Sequence, residues 1–184
     1  NTGFQTTRGD QVVAASITAV TLTGGTAADR FDTSRLTSGR VKVLGGSGND
    51  TMIGGSAAES FFGDAGDDSL QAAGGNDSLG GGTGNDRIDG GSGSNRLVES
   101  VDANVTVSTV NRVVQVTGIG TDTVVGQFAT VELLGGDGNH LFDVSAFAGR
   151  ATVNGGRGHD TLRGTANADL LIGGRGVDVL NGNA

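Results

Sequence analysis

Large apolar side chains recur at every ninth residue along much of this chain, with glycine and polar residues between them. From residue 45 to residue 98, six nine-residue repeats follow one another without a gap. They begin at Gly45, Gly54, Gly63, Ala72, Gly81 and Gly90. Most approximate G-G-x-G-x-D-x-U-x, where U is a large apolar residue. The glycines predict a turn, and x-U-x predicts a short strand.

Position eight is apolar in every copy of the repeat. Further copies begin at Gly155, Gly164 and Gly173, and degenerate copies begin at Gly24 and Gly135. The apolar residues are Phe31, Met52, Phe61, Leu70, Leu79, Ile88, Leu97, Phe142, Leu162, Leu171 and Leu180. Stacking of the repeats would place these side chains in two facing rows, which predicts a thin apolar core.

Residues 99–134 follow a different pattern, in which apolar and polar residues alternate. Val105 and Val107, then Val114 and Val116, are separated by polar side chains, and this alternation is typical of half-buried strands. Gly118 and Gly120 predict a turn. We interpret this interval as carrying no glycine–Asp motif, and therefore as either two further β coils or a β-hairpin without calcium turns. No segment has the periodicity of a helix.

A longer repeat of about 111 residues contains the short ones, because residues 24–63 align with 135–173. Residues 10–13 likewise align with 122–125. The first connector (residues 33–44) and the second connector (residues 144–154) replace single nonapeptides. We therefore predict two units, and a chain that is part of a longer array. Residues 1–98 form a partial first unit with its calcium roll at 45–98; residues 99–184 form the second, with a β-rich part at 99–134 and a truncated calcium roll at 135–184.

The motif that begins at Gly45, Gly-Gly-Ser-Gly-Asn-Asp-Thr-Met-Ile, resembles the RTX (repeats-in-toxin) calcium-binding nonapeptide. The resemblance covers residues 24–32, 45–98, 135–143 and 155–184. It implies an all-β fold, a right-handed parallel β-roll or β-helix solenoid. In this family two nonapeptides make one coil, and calcium lies between stacked turns on the same side of the roll.

Position six of each repeat carries the predicted metal ligand, and alternate repeats share a side of the roll. Asp29 joins the first side if the first connector completes a coil. The predicted ligands on that side are Asp29, Asp50, Asp68 and Asp86, and those on the other side are Glu59, Asp77 and Asn95. We expect well-occupied sites between Asp50 and Asp68 and between Asp68 and Asp86. Weaker sites are expected around Asp77.

The second block of repeats supplies fewer ligands. Asp160 and Asp178 share a side, and Asp169 faces the other, where we expect its stacking partner beyond the last residue given. His140 replaces the carboxylate at position six of its repeat, so a metal site there is doubtful. We expect both His140 and His159 to be exposed residues of turns.

Calcium is the ion that this ligand set favours. It accepts 6–8 oxygen ligands in flexible geometry, including the backbone carbonyls that glycine turns present. Magnesium requires a tighter octahedron, and zinc prefers Cys or clustered His. The chain has no Cys and only two His. One large apolar side chain per nine residues is a small core, so we expect folding to depend on bound calcium.

Composition restricts the partners further. The net charge of −8 disfavours nucleic acid, whose binding needs Lys and Arg. No stretch of about 20 apolar residues suggests a membrane span. The chain has 36 Gly but no Pro, Trp, Tyr or Cys, which argues against collagen and excludes disulfides. The tripeptide Arg8-Gly9-Asp10 matches a cell-adhesion motif, and we interpret it as a chance match.

We therefore expect a non-catalytic, calcium-stabilised segment of a secreted or cell-surface bacterial protein, such as a spacer, an adhesin stalk or a filament-forming subunit. Paired carboxylates that recur every nine residues fit ions better than the single pair of a glycosidase cleft. Open solenoid ends also favour self-association, end to end or along strand edges. Two alternatives remain open: an accessory domain of an extracellular protease, lipase or epimerase, and a carbohydrate-binding module.

Overall fold

The structure, a computed structural model, describes residues 18–110 and 113–183. Residues 8–10 and 10–13, named above, lie outside this part of the chain. The described residues form eighteen strands and no helix. In chain order the strands are β1 Ala19–Thr23, β2 Arg30–Asp32, β3 Arg40–Ser47, β4 Thr51–Ile53, β5 Ala58–Ala65, β6 Ser69–Gln71, β7 Ser78–Thr83, β8 Arg87–Asp89, β9 Asn95–Val101, β10 Val105–Val110, β11 Val113–Thr117, β12 Thr121–Val125, β13 Phe128–Gly135, β14 Leu141–Ala146, β15 Arg150–Asn154, β16 Thr161–Arg163, β17 Leu170–Ile172 and β18 Val179–Asn181.

The strands form two sheets, and the chain passes from one to the other in each coil. The eight-stranded sheet has the order β1-β3-β5-β7-β9-β13-β15-β17. The ten-stranded sheet has the order β18-β16-β14-β10-β11-β12-β8-β6-β4-β2. Within the repeats the pairing is parallel and in register at 18 residues, as for Met52 with Leu70 and Leu70 with Ile88. The predicted all-β parallel solenoid is confirmed, with eight coils among the described residues.

The position-eight side chains form the core between the sheets. Those of the interior coils, from Phe31 to Leu162, are buried. They lie in register rows, such as Phe61, Leu79 and Leu97 along the eight-stranded sheet. In the last described coil, Leu171 is partly buried and 46% of Leu180 is exposed. Among the described strands, β18, which carries Leu180, lies at the edge of the ten-stranded sheet.

The interval at 99–134 departs from the regular coil. β10 and β11 are antiparallel, as are β11 and β12. β12 then pairs parallel with β8, and β10 pairs parallel with β14. In the opposite sheet β9 pairs directly with β13. Of the two predicted arrangements, the structure therefore has the hairpin type: a three-stranded meander occupies the place of one strand, and two further coils are not formed.

This meander makes the two sheets unequal. The ten-stranded sheet gains two strands between β8 and β14, while the other sheet gains none. Neighbouring strands lie roughly 4.8 Å apart, so the ten-stranded sheet is longer along the solenoid axis by about 10 Å. Gly118 and Gly120, both with positive φ, lie in the turn between β11 and β12 as predicted.

The two connectors adopt the same local structure. In the first, the Ser34 hydroxyl donates a hydrogen bond of 2.6 Å to Asp32 Oδ1. In the second, the Ser145 hydroxyl donates one of 2.6 Å to Asp143 Oδ1. Each connector joins a strand of the ten-stranded sheet to a strand of the other, so it completes a coil as a nonapeptide would. This similarity agrees with the longer repeat, whose division into two units remains a prediction.

Candidate metal centres

Each glycine turn brings its own aspartate back over the start of the repeat. In the first regular repeat, Gly48 has a φ of +104°, a left-handed conformation that favours glycine. In the third repeat, Gly63 leaves room for the Asp68 carboxylate, because a Cβ on Gly63 would lie 2.1 Å from Asp68 Oδ2. Position one is therefore glycine for space, and position four is glycine for backbone conformation.

One column of carboxylates follows the turns that enter the ten-stranded sheet. The backbone N–H of each residue donates a hydrogen bond to Oδ1 of the residue one coil further on. The donor–acceptor distances are 2.7 Å from Asp29 to Asp50, 2.7 Å from Asp50 to Asp68 and 2.8 Å from Asp68 to Asp86. The first connector therefore completes a coil, and Asp29 stacks at the start of this column.

Asp122 continues the same column, although the sequence interpretation found no glycine–Asp motif in residues 99–134. Asp86 N–H donates to Asp122 Oδ1 at 3.0 Å. Residues 117–125, Thr-Gly-Ile-Gly-Thr-Asp-Thr-Val-Val, carry glycine at positions two and four, Asp at position six and Val at position eight. The interpretation that this interval carries no glycine–Asp motif is therefore wrong. Asp122 lies 36 residues after Asp86, which is the length of two coils, and this spacing could have identified it. We call Asp29, Asp50, Asp68, Asp86 and Asp122 the first column.

In four of the five first-column residues, the second carboxylate oxygen has no hydrogen-bond partner. In the first column, Oδ2 of Asp50, Asp68, Asp86 and Asp122 is buried without a hydrogen bond. Burial raises the pKa of Asp50 and Asp68 to about 6 and that of Asp122 to about 7. Because an ionised oxygen in such a place is costly unless a cation compensates it, these atoms mark candidate positions for metal ligands.

The second column, Glu59, Asp77 and Asn95, follows the turns that enter the eight-stranded sheet. Glu59 N–H donates to Asp77 Oδ1 at 2.9 Å, and Asp77 N–H donates to Asn95 Oδ1 at 3.0 Å. Glu59 Oε2 and Asp77 Oδ2 are buried without partners, and burial raises the pKa of both groups. The Asn95 amide differs, because it donates to Gly90 O and Gln127 O, both at 2.8 Å.

In the second block of repeats, Asp160 and Asp178 stack as the first column does. Asp160 N–H donates to Asp178 Oδ1 at 2.9 Å, and Asp160 Oδ2 is buried without a partner. Asp169 faces the other side, where its Oδ1 accepts the Ala151 N–H at 2.8 Å. Its Oδ2 accepts the Thr165 N–H at 2.6 Å. Asp169 therefore has a stacking partner in the preceding coil, which the sequence interpretation did not include.

His140 is buried, so the expectation of an exposed turn residue is wrong. Its Nδ1 lies 3.1 Å from Asp160 Oδ1, and its Nε2 lies 2.8 Å from Asp102 Oδ1. The ring stacks on Phe142 with 5.3 Å between centroids. The position-six side chain turns inward over its own repeat, and the imidazole ring therefore follows the path that a carboxylate takes elsewhere. His159 is exposed, as expected.

Calcium fits this donor set better than an ion held by side chains alone. Among residues 18–110 and 113–183, no group of three or more His, Cys, Asp or Glu side chains could hold a metal ion. Stacked turns offer instead carboxylates from successive coils together with glycine-turn carbonyls, which are the ligands that calcium accepts. Asp50, Asp68, Asp86 and Asp77 would contribute carboxylates of this kind, and a bound ion would neutralise their charge.

The fold and these turns define a parallel β-solenoid of a metal-binding type. A family model described as RTX calcium-binding nonapeptide repeat matches the chain in four copies, over residues 26–58, 42–70, 62–97 and 146–184. These matches together span more than half of the sequence, and the chain belongs to this family of calcium-binding repeat proteins. No curated protein matches the chain. Within the described residues, no helix is both long enough and apolar enough to span a membrane.

Proposed function

We propose that this segment is a structural module that folds when calcium binds between its stacked turns. The observation that carries this proposal is the set of buried carboxylate oxygens without partners. These are Asp50 Oδ2, Glu59 Oε2, Asp68 Oδ2, Asp77 Oδ2, Asp86 Oδ2, Asp122 Oδ2 and Asp160 Oδ2. An ion that binds the folded chain and not the unfolded one adds its binding free energy to the stability of the fold.

The same chemistry supports a role outside the cell. Extracellular calcium modules bind with dissociation constants of roughly 10⁻⁴–10⁻³ M, which would leave the sites largely empty in a cytosol and filled outside it. The proposed role is that of a rigid spacer, adhesin stalk or filament-forming part of a secreted or surface protein. No catalytic step is assigned to it, because the carboxylates form a periodic ladder and not one pair in a cleft.

Self-association is part of this proposal, and an exposed apolar patch on residues 170–180 supports it. Five apolar side chains are exposed in this patch, with 75% of Val177 accessible to solvent. They are Leu170, Ile172, Val177, Val179 and Leu180. Among the described strands, β17 and β18 lie at the edges of their sheets, and an edge strand can pair with a strand of a second copy. Sedimentation velocity at millimolar calcium should show oligomers, and Val179→Lys should shift the chain toward the monomer. A wild-type chain that stays monomeric would exclude this part of the proposal.

A calcium titration tests the central proposal. In chelator at pH 8 the β-sheet circular dichroism signal should be largely lost, and calcium should restore it cooperatively, while magnesium at the same concentration should not. Calorimetry of the same titration gives the number of ions bound. Glu132→Gln, on the outer face of β13, removes one carboxylate from outside the turns and should leave the titration unchanged. Full folding in chelator at this pH would overturn the proposal.

A further inference from the structure

The turn that stacks on the coil of β7 and β8 is made of two separate segments of the chain. Residues 118–123 reproduce the bonds of a repeat turn: Gly84 N–H donates to Ile119 O at 3.0 Å, and Thr123 N–H donates to Asp86 O at 2.8 Å. Between regular coils the matching bonds are Gly66 N–H to Thr83 O and Arg87 N–H to Asp68 O, at 2.9 and 2.8 Å. Residues 118–123 are preceded by β11 of the meander, so the start of the turn comes from elsewhere.

Glu99, at the end of β9, supplies the missing start of this split turn. It lies 18 residues after Gly81 and therefore takes the place of a position-one glycine. Its Oε1 accepts the Gly81 N–H at 3.1 Å, and its Oε2 accepts the Gly82 N–H at 3.2 Å. The Glu99 side chain is buried. In the regular coils of the first column the residue at this position is glycine, which has no side chain. Here the Glu99 carboxylate occupies that space.

Three acidic side chains, those of Asp86, Glu99 and Asp122, lie close together as a result. A Cβ on Gly81 would lie 2.2 Å from Asp86 Oδ2, so that oxygen lies directly over the residue whose N–H bonds to Glu99. Asp86 and Asp122 are 3% and 0% exposed, and Oδ2 of each is buried without a partner. Burial raises the pKa of Glu99 to about 8, and the charges of Asp122 and Asp86 raise it as well. Regular intervals, such as that between Asp68 and Asp86, have two buried carboxylates, and the further carboxylates near them, Asp64 and Asp67, are exposed.

We propose that Asp86 and Asp122, at the split turn that begins with Glu99, hold the most tightly bound cation of the described part of the chain. Asp86 and Asp122 supply carboxylate ligands from successive coils, and Glu99 adds a third negative charge beside them. This inference rests on the proposed calcium-binding function, and Asp122 and Glu99 lie outside the residues that the family model matches. Three charges also favour a trivalent lanthanide over calcium more strongly here than at an interval with two carboxylates.

Calorimetric titration of Glu99→Gln against the wild type tests this assignment. The variant keeps the size of the side chain and removes one charge. We expect the tightest calcium affinity to weaken about tenfold, with the weaker affinities unchanged. Glu132→Gln is the matched control, since Glu132 lies on the adjacent strand β13 but pairs outside the turns with Arg96. An unchanged tightest affinity in a folded Glu99→Gln variant would overturn the inference and leave the proposed function intact.

A second measurement needs no variant, and it decides the matter if Glu99→Gln does not fold. Substoichiometric gadolinium added to the calcium-loaded wild-type chain should first broaden the amide NMR signals of residues 81–86, 99 and 118–122. Broadening that begins at residues 45–68 would contradict the inference. If the wild-type chain neither binds calcium nor responds to it, the proposed function itself fails, and this inference fails with it.

Discussion

The two columns of position-six side chains end differently, and the difference shows what a cation would replace. The first column continues through Asp122 with a carboxylate at every level, and each interior Oδ2 is left without a partner. The second column ends at Asn95, whose amide nitrogen donates to two backbone carbonyls. The Asn95 amide group therefore provides the hydrogen-bond donors for the two neighbouring carbonyl oxygens, a role that a cation would otherwise fill. In the first column, Oδ2 of Asp50, Asp68, Asp86 and Asp122 has no hydrogen-bond donor. Only a proton or a metal ion can compensate the negative charge of these oxygens.

Protons and metal ions can both neutralise the buried carboxylates of the first column. The largest effect that distinguishes them is expected to be the dependence of stability on pH in the metal-free chain. Burial raises the pKa of Asp50 and Asp68 to about 6, of Asp122 to about 7 and of Glu99 to about 8. The ordinary values are 3.8 for Asp and 4.5 for Glu, so the folded chain binds protons more tightly than the unfolded one. Proton binding by these groups therefore stabilises the folded chain. This stabilisation is complete at pH values below the ordinary pKa values, and it is lost as pH rises through the pKa values of the folded chain.

In chelator, the chain should therefore be more stable at pH 5 than at pH 8. The thermal midpoint should fall by at least about 10 °C from pH 5 to pH 8, where the chain in chelator is expected to be largely unfolded, since about 1 kcal/mol shifts the midpoint of a chain of this size by roughly 2–4 °C. Excess calcium should remove or reverse this dependence, because calcium binds the ionised carboxylates. Thermal unfolding followed by circular dichroism at both pH values checks the expectation. Equal midpoints in chelator would show that the first column is neutralised in some other way.

The next largest effect compares the glycines beneath the two columns. A Cβ on Gly63 would lie 2.1 Å from Asp68 Oδ2, whereas a Cβ on Gly54 would lie 3.1 Å from Glu59 Oε2 and 2.8 Å from Ala72 O. Gly63→Ala should cost about 1–3 kcal/mol through overpacking and should weaken calcium binding. Gly54→Ala should cost less. Gly25→Ala is the control, because a Cβ there meets nothing within 4 Å; urea unfolding at saturating calcium measures all three.

Asn95→Asp tests whether the amide ends the second column. The substitution removes the donor to Gly90 O and Gln127 O and places a negative charge beside them. We expect a loss of about 1–3 kcal/mol at the lowest calcium concentration that keeps the chain folded, and partial recovery at saturating calcium, because the new carboxylate can bind an ion with Asp77. Unfolding curves at the two calcium concentrations give the comparison. A variant that is no less stable at low calcium would show that these two hydrogen bonds are unimportant.

The smallest effect concerns the exposed position-five residues, where the two columns should behave alike. Asp67 Oδ1 accepts the Asn85 N–H at 2.8 Å, and Asn76 Oδ1 accepts the Ser94 N–H at 2.9 Å. Asp67→Ala and Asn76→Ala should each cost roughly 0.5–1.5 kcal/mol, the net value of one hydrogen bond. Asp67→Asn retains the acceptor and should be nearly neutral. A much larger loss for Asp67→Ala, with weaker calcium binding, would assign Asp67 a direct role at the metal.

Much of this fold follows from local chemistry that a sequence displays. A glycine pair before each aspartate and an apolar residue two positions later predict turn and strand together, and the register of Met52 with Leu70 follows from two repeats per coil. The stacking of Asp50, Asp68 and Asp86 follows from the same count. The occupancy of these sites by calcium remains a prediction that the experiments above address.

Other features could not be read from the repeat. Glu99 lies at a position-one phase, but nothing local indicates that its side chain points inward to the Gly81 and Gly82 amides. The position of His140 in a predicted turn indicates exposure, whereas Phe142 and two carboxylates enclose its ring. Both side chains are surrounded by segments that are distant from them in sequence. These segments, and not the local sequence, determine whether such a polar side chain is buried.

The sequence by itself determined the period, the short strands, the glycine turns and the order of carboxylates along each side of the solenoid. These depend on interactions within nine or eighteen residues, which a repeat fixes directly. Only the tertiary structure decided that residues 99–134 form a meander and that Asp122 stacks on Asp86 across 36 residues. The physical reason is that β10 and β11 could pair either as a hairpin or with neighbouring coils. The choice depends on which strands lie beside them, and the alternation of apolar residues is the same in both arrangements.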